Sequence, residues 1–238
     1  MSLPESLKKI LLQLLEESQV VTFLKINLTR LILLVVFLLT IGCGGTSSLV
    51  RNYYLLDYPI VVKNEIKPQK PFPIKVGIKR FTIPSIYERD NKVVFRSSQF
   101  QLRYYAREVY VAKPNILITD LVAKHIKQYG IFEQFGKEFI DSPDYEIIGS
   151  VDAIERYDIG EFGGAHFAMT LKLVHSNDYN VVVEHKFNII EKLYNPQTSA
   201  LVKEFSQILD SQTDNFIEKI NEFFKDKKFQ KEKVENVN

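Results

Sequence analysis

Residues 145–189 read YEIIGSVDAIERYDIGEFGGAHFAMTLKLVHSNDYNVVVEHKFNI, and this stretch decides the fold. Apolar residues recur at every second position, the period of a strand with one buried face. Tyr145, Ile147, Gly149, Val151 and Ala153 fall on one face of a first strand. Phe167, Met169, Leu171 and Leu173 line a second, and Val181, Val183, His185, Phe187 and Ile189 a third. Ser176-Asn177-Asp178 supplies the hairpin turn between the last two. Asp152, Glu155 and Asp158 near the end of the first strand read as a solvated edge. Gly160-Glu161-Phe162-Gly163-Gly164 lies between strands and lacks the Lys-Ser/Thr of a phosphate loop, so it reads as a connection.

Downstream, Asn195-Pro196 breaks the sheet. A helix is expected from Thr198 to Phe224, with Leu201, Phe205, Ile208, Leu209, Phe216, Ile217, Ile220 and Phe224 as its apolar stripe. The charged tail 225–238 is expected to fray. Upstream, Tyr53–Leu56 and Ile74–Phe81 carry strand signals on either side of a proline-punctuated loop. Two further strand-like runs occur around Val93–Arg96 and Gln101–Tyr105. Pro114 opens a helix through about Gln128, with Leu117, Leu121, Val122 and His125 on one face and Gly130 placed to stop it. The expected fold is one α+β domain over 53–224. It has a mixed, mainly antiparallel sheet and two main helices packed on one face.

The chain before this domain carries different information. Leu31 to Leu39 is an apolar run preceded by Lys25 and Arg30 and followed by Thr40-Ile41-Gly42-Cys43, the order of a secretory signal. The run is too short for a spanning helix, which needs about 20 apolar residues. Cys43 is the only cysteine of the 238 residues, so no intramolecular disulfide forms. The expected division is a signal segment 1–42, a flexible tether 43–52, the domain, and the tail 225–238. The net charge of +2 points to neither nucleic acid nor an acidic substrate.

Gly42-Cys43 resembles the lipobox of bacterial lipoproteins, in which the signal is cut before a cysteine that carries diacylglycerol. Cys43 is thereby the expected lipidation site and Gly42-Cys43 the cleavage junction. Thr40 departs from the usual Leu. Several downstream blocks together resemble the ABC-type transport auxiliary lipoprotein (PqiC/YmbA-like) family. These are Tyr53-Tyr54-x-Leu56, Tyr87-x-Arg89-Asp90-x-x-Val93-Val94-x-Arg96, Tyr110-Val111-Ala112-Lys113-Pro114, Asp144-Tyr145 and Phe205-Ser206. Tyr110 stands where that family usually has Trp. The resemblance implies a lipid-anchored protein facing the periplasm, working with an MCE-type lipid-binding protein and the ATPase and permease of an ABC transporter. It implies no cofactor beyond the covalent lipid and no bond chemistry, and homo-oligomerisation is a further expectation. Gly44, in place of the inner-membrane-retaining Asp, leans toward the outer membrane. An outer-membrane assembly lipoprotein and a periplasmic enzyme are the alternatives.

Within the domain, Tyr87, Arg89 and Arg96, with Tyr110, are the candidate partner-binding residues, since Arg and Tyr are enriched at interface hot spots. The competing reading gives Arg89 and Arg96 an ion pair with Asp90. His125 and His185 fall on apolar faces and read as core histidines. His166 and His175 lie at opposite ends of one strand, about 30 Å apart at about 3.3 Å per residue, too far for one metal.

Overall fold

The computed structural model describes residues 50–137, 140–158 and 163–235, with side chains to Asp226, and a few positions before Val50 including 30–34. The chain divides into two compact units, 1–49 and 50–238. In the first, 30–34 are helical and exposed. Among the described residues no helix is long and apolar enough to cross a membrane. Gly42, Cys43 and the connection 159–162 lie outside the described residues.

The second unit is an α+β domain built on an eight-stranded mixed sheet. Its strands are β1 (Asn52–Tyr54), β2 (Phe72–Ile78), β3 (Lys92–Ser98), β4 (Gln101–Tyr110), β5 (Phe132–Gly136), β6 (Tyr145–Tyr157), β7 (Gly164–His175) and β8 (Val181–Lys192). The helices are α1 (Pro114–Tyr129) and α2 (Thr198–Glu235). β6, β7 and β8 form the long antiparallel meander the alternation predicts. Parallel pairs join β1 to β4, β2 to both β5 and β6, and β3 to β6.

The 13-residue β6 organises the sheet. Its one edge is taken by β7, and its other is shared by β2 near Tyr145–Ile147 and β3 at Arg156–Tyr157. Between these, Phe81 crosses over Gly149, where an added Cβ would come within 2.6 Å of the ring. Only a glycine allows that approach. Phe81 is held there from α1, because its N–H donates to Thr119 Oγ1 (3.0 Å) and its carbonyl accepts from Asn115 Nδ2 (3.1 Å).

α2 lays its apolar stripe on β7 and β8 and against α1, with Phe205 edge-on to Phe167 and Phe224 edge-on to Tyr145. α1 ends at Gly130 in the left-handed region (φ 61°), as a glycine cap allows.

Four sequence expectations are corrected. The α2 helix continues to Glu235 instead of stopping near Phe224, since the Lys- and Glu-rich tail contains neither Gly nor Pro. β4 runs on to Tyr110. β5 was not anticipated, being only five residues long. The β6–β7 register shifts between Val151 and Ala153, a bulge that turns the following residues over. Ile154, opposite Phe167, therefore joins the helix-covered face, and Ala153 leaves the face of Val151 for the other side.

Candidate functional site

The bulge decides the site, because it turns Glu155 with Ala153 to the side of the sheet away from Phe167. There Glu155 is completely buried, not part of a solvated edge. A buried carboxylate needs partners for both oxygens. Arg96 Nε (2.6 Å) and His166 Nδ1 (3.0 Å) contact Oε1, while Tyr87 Oη (2.8 Å) and Arg96 Nη2 (3.2 Å) donate to Oε2. His166 Nε2 meets Asn188 Oδ1 at 2.8 Å, which carries the network to β8.

Burial acts to raise the Glu155 carboxyl. The hydrogen bonds from His166, Arg96 and Tyr87 outweigh it and hold the group below its ordinary range. Burial together with Glu155 pushes the Tyr87 hydroxyl up, so Tyr87 remains a donor. With each oxygen already serving two partners, the carboxylate fastens the Ser85–Tyr87 turn and β3 to β6, β7 and β8.

The four candidate partner-binding residues therefore separate. Tyr87 is 3% exposed and Tyr110 2% exposed, both core side chains that present no binding edge in this fold. Tyr110 Oη is buried with no hydrogen-bond partner among the described residues. Arg96 is spent on Glu155. Arg89 alone stays on the surface, 5.5 Å above the Tyr104 ring. Asp90 pairs with Lys92 (3.5 Å) instead of Arg89 or Arg96.

Sequence reasoning missed Glu155 as the hub. The adjacent apolar pair Ala153-Ile154 breaks the alternation and is the signal that a bulge displaces it.

A second cluster, with His125 and Asp214 buried and Asp210 partly exposed, lies between the helices. His125, Asp210 and Asp214 offer ligand atoms within 4.8 Å of one another, the spacing of a metal site. His125 and Asp214 are hydrogen-bonded to each other, and Asp210 Oδ1 lies 3.6 Å from His125 Nδ1. His125 Nε2 and Tyr129 Oη bond to Asp214 Oδ1 at 2.9 and 2.7 Å, and Lys63 Nζ sits 2.7 Å from Oδ2. Tyr58 Oη lies 2.9 Å from His125 Nδ1. Burial lowers the His125 ring's proton affinity against the pull of Asp214, which favours the neutral ring. These partners assign it: Nε2–H donates to Asp214 and Nδ1 accepts from Tyr58.

Lys63 thus supplies the cation that Asp214 requires. Lys63, Tyr58 and Ile60, whose carbonyl accepts from Gln128 Nε2 (3.1 Å), belong to one segment laid over the helices. His125 is the core histidine the sequence predicts. His185 is buried as well, with Nε2 2.9 Å from Gln212 Oε1. His166 and His175 stand at opposite ends of β7.

No protein-family model and no curated protein matches this chain. Solved structures do. Protein XCC0632 from Xanthomonas campestris, of family DUF330, is similar at a TM-score of 0.64 and 17% identity, covering 74% of this chain and 98% of that one. An uncharacterised protein is similar at a TM-score of 0.56 and 14% identity, over 72% and 99%. These likenesses establish a shared fold. A PelC dodecamer from Paraburkholderia phytofirmans has a TM-score of only 0.38, and at that distance neither assembly nor activity transfers.

Proposed function

We propose that this chain is a membrane-anchored auxiliary lipoprotein of an MCE-type ABC transport system. It faces the periplasm, from the outer membrane by preference, and binds and braces the transport machinery without bond chemistry of its own. The observation that carries the reading is the similarity of the domain to nearly the full length of XCC0632, in a chain where a Gly42-Cys43 junction precedes that domain. The saturated hydrogen bonding of Glu155 and of Asp214 fits a scaffold, since both carboxylates are committed within the fold. Arg89 on Tyr104 is the exposed one of the four candidate partner-binding residues and the proposed contact point for a partner.

The test is purification of tagged protein from gently solubilised membranes, as wild type and as Cys43→Ala, with identification of the proteins that accompany it. An MCE protein and its ATPase recovered with wild type, and reduced or lost with Cys43→Ala, is the expected result. Recovery of outer-membrane assembly factors in their place, or identical behaviour of the two forms with no acyl chain on either, would falsify the proposal.

A further inference from the structure

The 12-residue β8 closes one end of the sheet, and among the described residues it pairs with β7 and with no other strand. The other end strands, β1 and β5, are only three and five residues long. Two bonds fix the direction of the β8 backbone. Leu193 N–H donates to the Gly163 carbonyl (2.9 Å), so the odd-numbered residues turn their N–H and C=O to β7. The register with β7 is unbroken from Val183 to Lys192, so the even-numbered residues from Glu184 to Lys192 turn theirs outward. The Glu184 carbonyl is met there by Lys219 Nζ of α2 at 3.2 Å.

The side chains alternate with the same period. Glu184, Lys186, Asn188, Ile190 and Lys192 are exposed, whereas His185 and Phe187 are buried. An open edge is a template for another strand, and natural edges carry charge to discourage pairing. The charges of β8 oppose one self-pairing and match in another. The run 184–192 pairs with its own copy over its whole length in one antiparallel register, with a two-fold axis at Asn188. In that register Glu184 of each copy faces Lys192 of the other, and His185 faces Glu191. Phe187 faces Ile189, and the methylene stem of Lys186 covers Ile190, which is 52% exposed in the single chain. An axis at Lys186 would instead set that ammonium against its own copy, and an axis at Ile190 would pair only residues 188–192. Opposite charges directly across a strand pair favour it, and like charges oppose it.

We propose that β8 joins two copies of this chain into one continuous antiparallel sheet across a two-fold axis at Asn188. The outward residues of the two copies exchange about ten backbone hydrogen bonds. A carbonyl has two lone pairs, so Lys219 keeps its bond to Glu184 in the pair. The inference uses residues of the domain alone and is independent of what Cys43 carries.

Native mass spectrometry of the full-length protein in mild detergent, over a concentration series, tests it. Wild type is expected to pass from monomer to dimer as concentration rises. Lys186→Pro removes an outward N–H and no bond to β7, a placement that natural edge strands tolerate. It is expected to stay monomeric with the circular dichroism of wild type. Glu184→Lys and Lys192→Glu each set like charges face to face at two symmetric places and are expected to weaken association about tenfold. Combining the two restores opposite pairs and the dimer, a rescue that a folding defect would not give. Should Lys186→Pro fail to fold, the charge series decides alone.

Wild type that is monomeric at every concentration overturns the inference. A dimer that persists in folded Lys186→Pro, or undiminished in both single charge variants, lies on another surface and overturns it too. A combined variant as weak as either single one overturns the register.

Discussion

Glu155 and Asp214 are both buried carboxylates, yet they are held in different ways. Glu155 is closed in by Arg96, Tyr87 and His166, groups rooted in the sheet and in the turn leading to β3. Asp214 has two core donors, His125 and Tyr129, but its charge partner is Lys63, whose side chain is 52% exposed and sits on the overlying segment. The first arrangement locks the β3–β4 ribbon to the meander. The second ties a surface segment to the helices by a cation that can leave for water at small cost. The domain therefore has a rigid sheet and a releasable strap.

The largest effect separating the two is expected from removing each carboxylate. Glu155→Ala leaves Arg96 and Tyr87 without their acceptor in a buried site and is expected to cost about 3–5 kcal/mol. Asp214→Ala is expected to cost about 2–3 kcal/mol, because His125 and Tyr129 lose their acceptor while Lys63 escapes to solvent. Urea titrations of both variants measure the difference, and equal losses would collapse the distinction.

Acid separates the clusters along the pH axis. The His125 ring resists protonation when folded, whereas the unfolded ring takes a proton near its ordinary 6.5. Unfolding then binds a proton, so this contribution is complete above 6.5 and is lost as pH falls from there toward the depressed folded value. The Glu155 carboxyl stays ionised in the fold below its ordinary 4.5, so its contribution is complete above 4.5 and is lost as pH falls through the folded value. The strap cluster is expected to weaken first. His125→Gln flattens the stability profile between pH 7 and 5, and Glu155→Gln flattens it only in stronger acid. A wild-type profile level from pH 7 to 5 would remove His125 from the account.

A smaller effect, of opposite sign, is expected at Tyr110. Its hydroxyl is buried without a partner among the described residues, so Tyr110→Phe is expected to stabilise by about 1 kcal/mol, read as a raised Tm. Arg89→Ala is expected to change stability by less than about 0.5 kcal/mol, since the side chain is on the surface. It is also expected to reduce recovery of the transport partner, and unchanged recovery would remove Arg89 from the proposed contact.

The meander and both helices were legible because period 2 and period 3.6 are written over long segments with Ser176-Asn177-Asp178, Pro114 and Gly130 as punctuation. The parallel pairs of β1, β2 and β3 were not, because partners far apart in sequence leave no local mark. β5 is too short to establish a period. The candidate site was half legible: the Tyr87–Arg96 block drew notice for its residue types, but its direction depends on a bulge that inverts one strand. Glu155 read as solvated because Tyr87, Arg96 and His166, its partners, come from three separate segments. Asp214 was passed over as one polar position in an apolar stripe, although Ile217 three residues on marks it as facing the core.

Amide hydrogen exchange on Glu155→Gln and Asp214→Asn tests the lock-and-strap account most directly. The account predicts that Glu155→Gln speeds exchange in β3 and β4 while the amides of 57–66 stay as in wild type, and that Asp214→Asn does the reverse. If both variants loosened the same segments, the two carboxylates would belong to one cooperative unit and the account would be wrong.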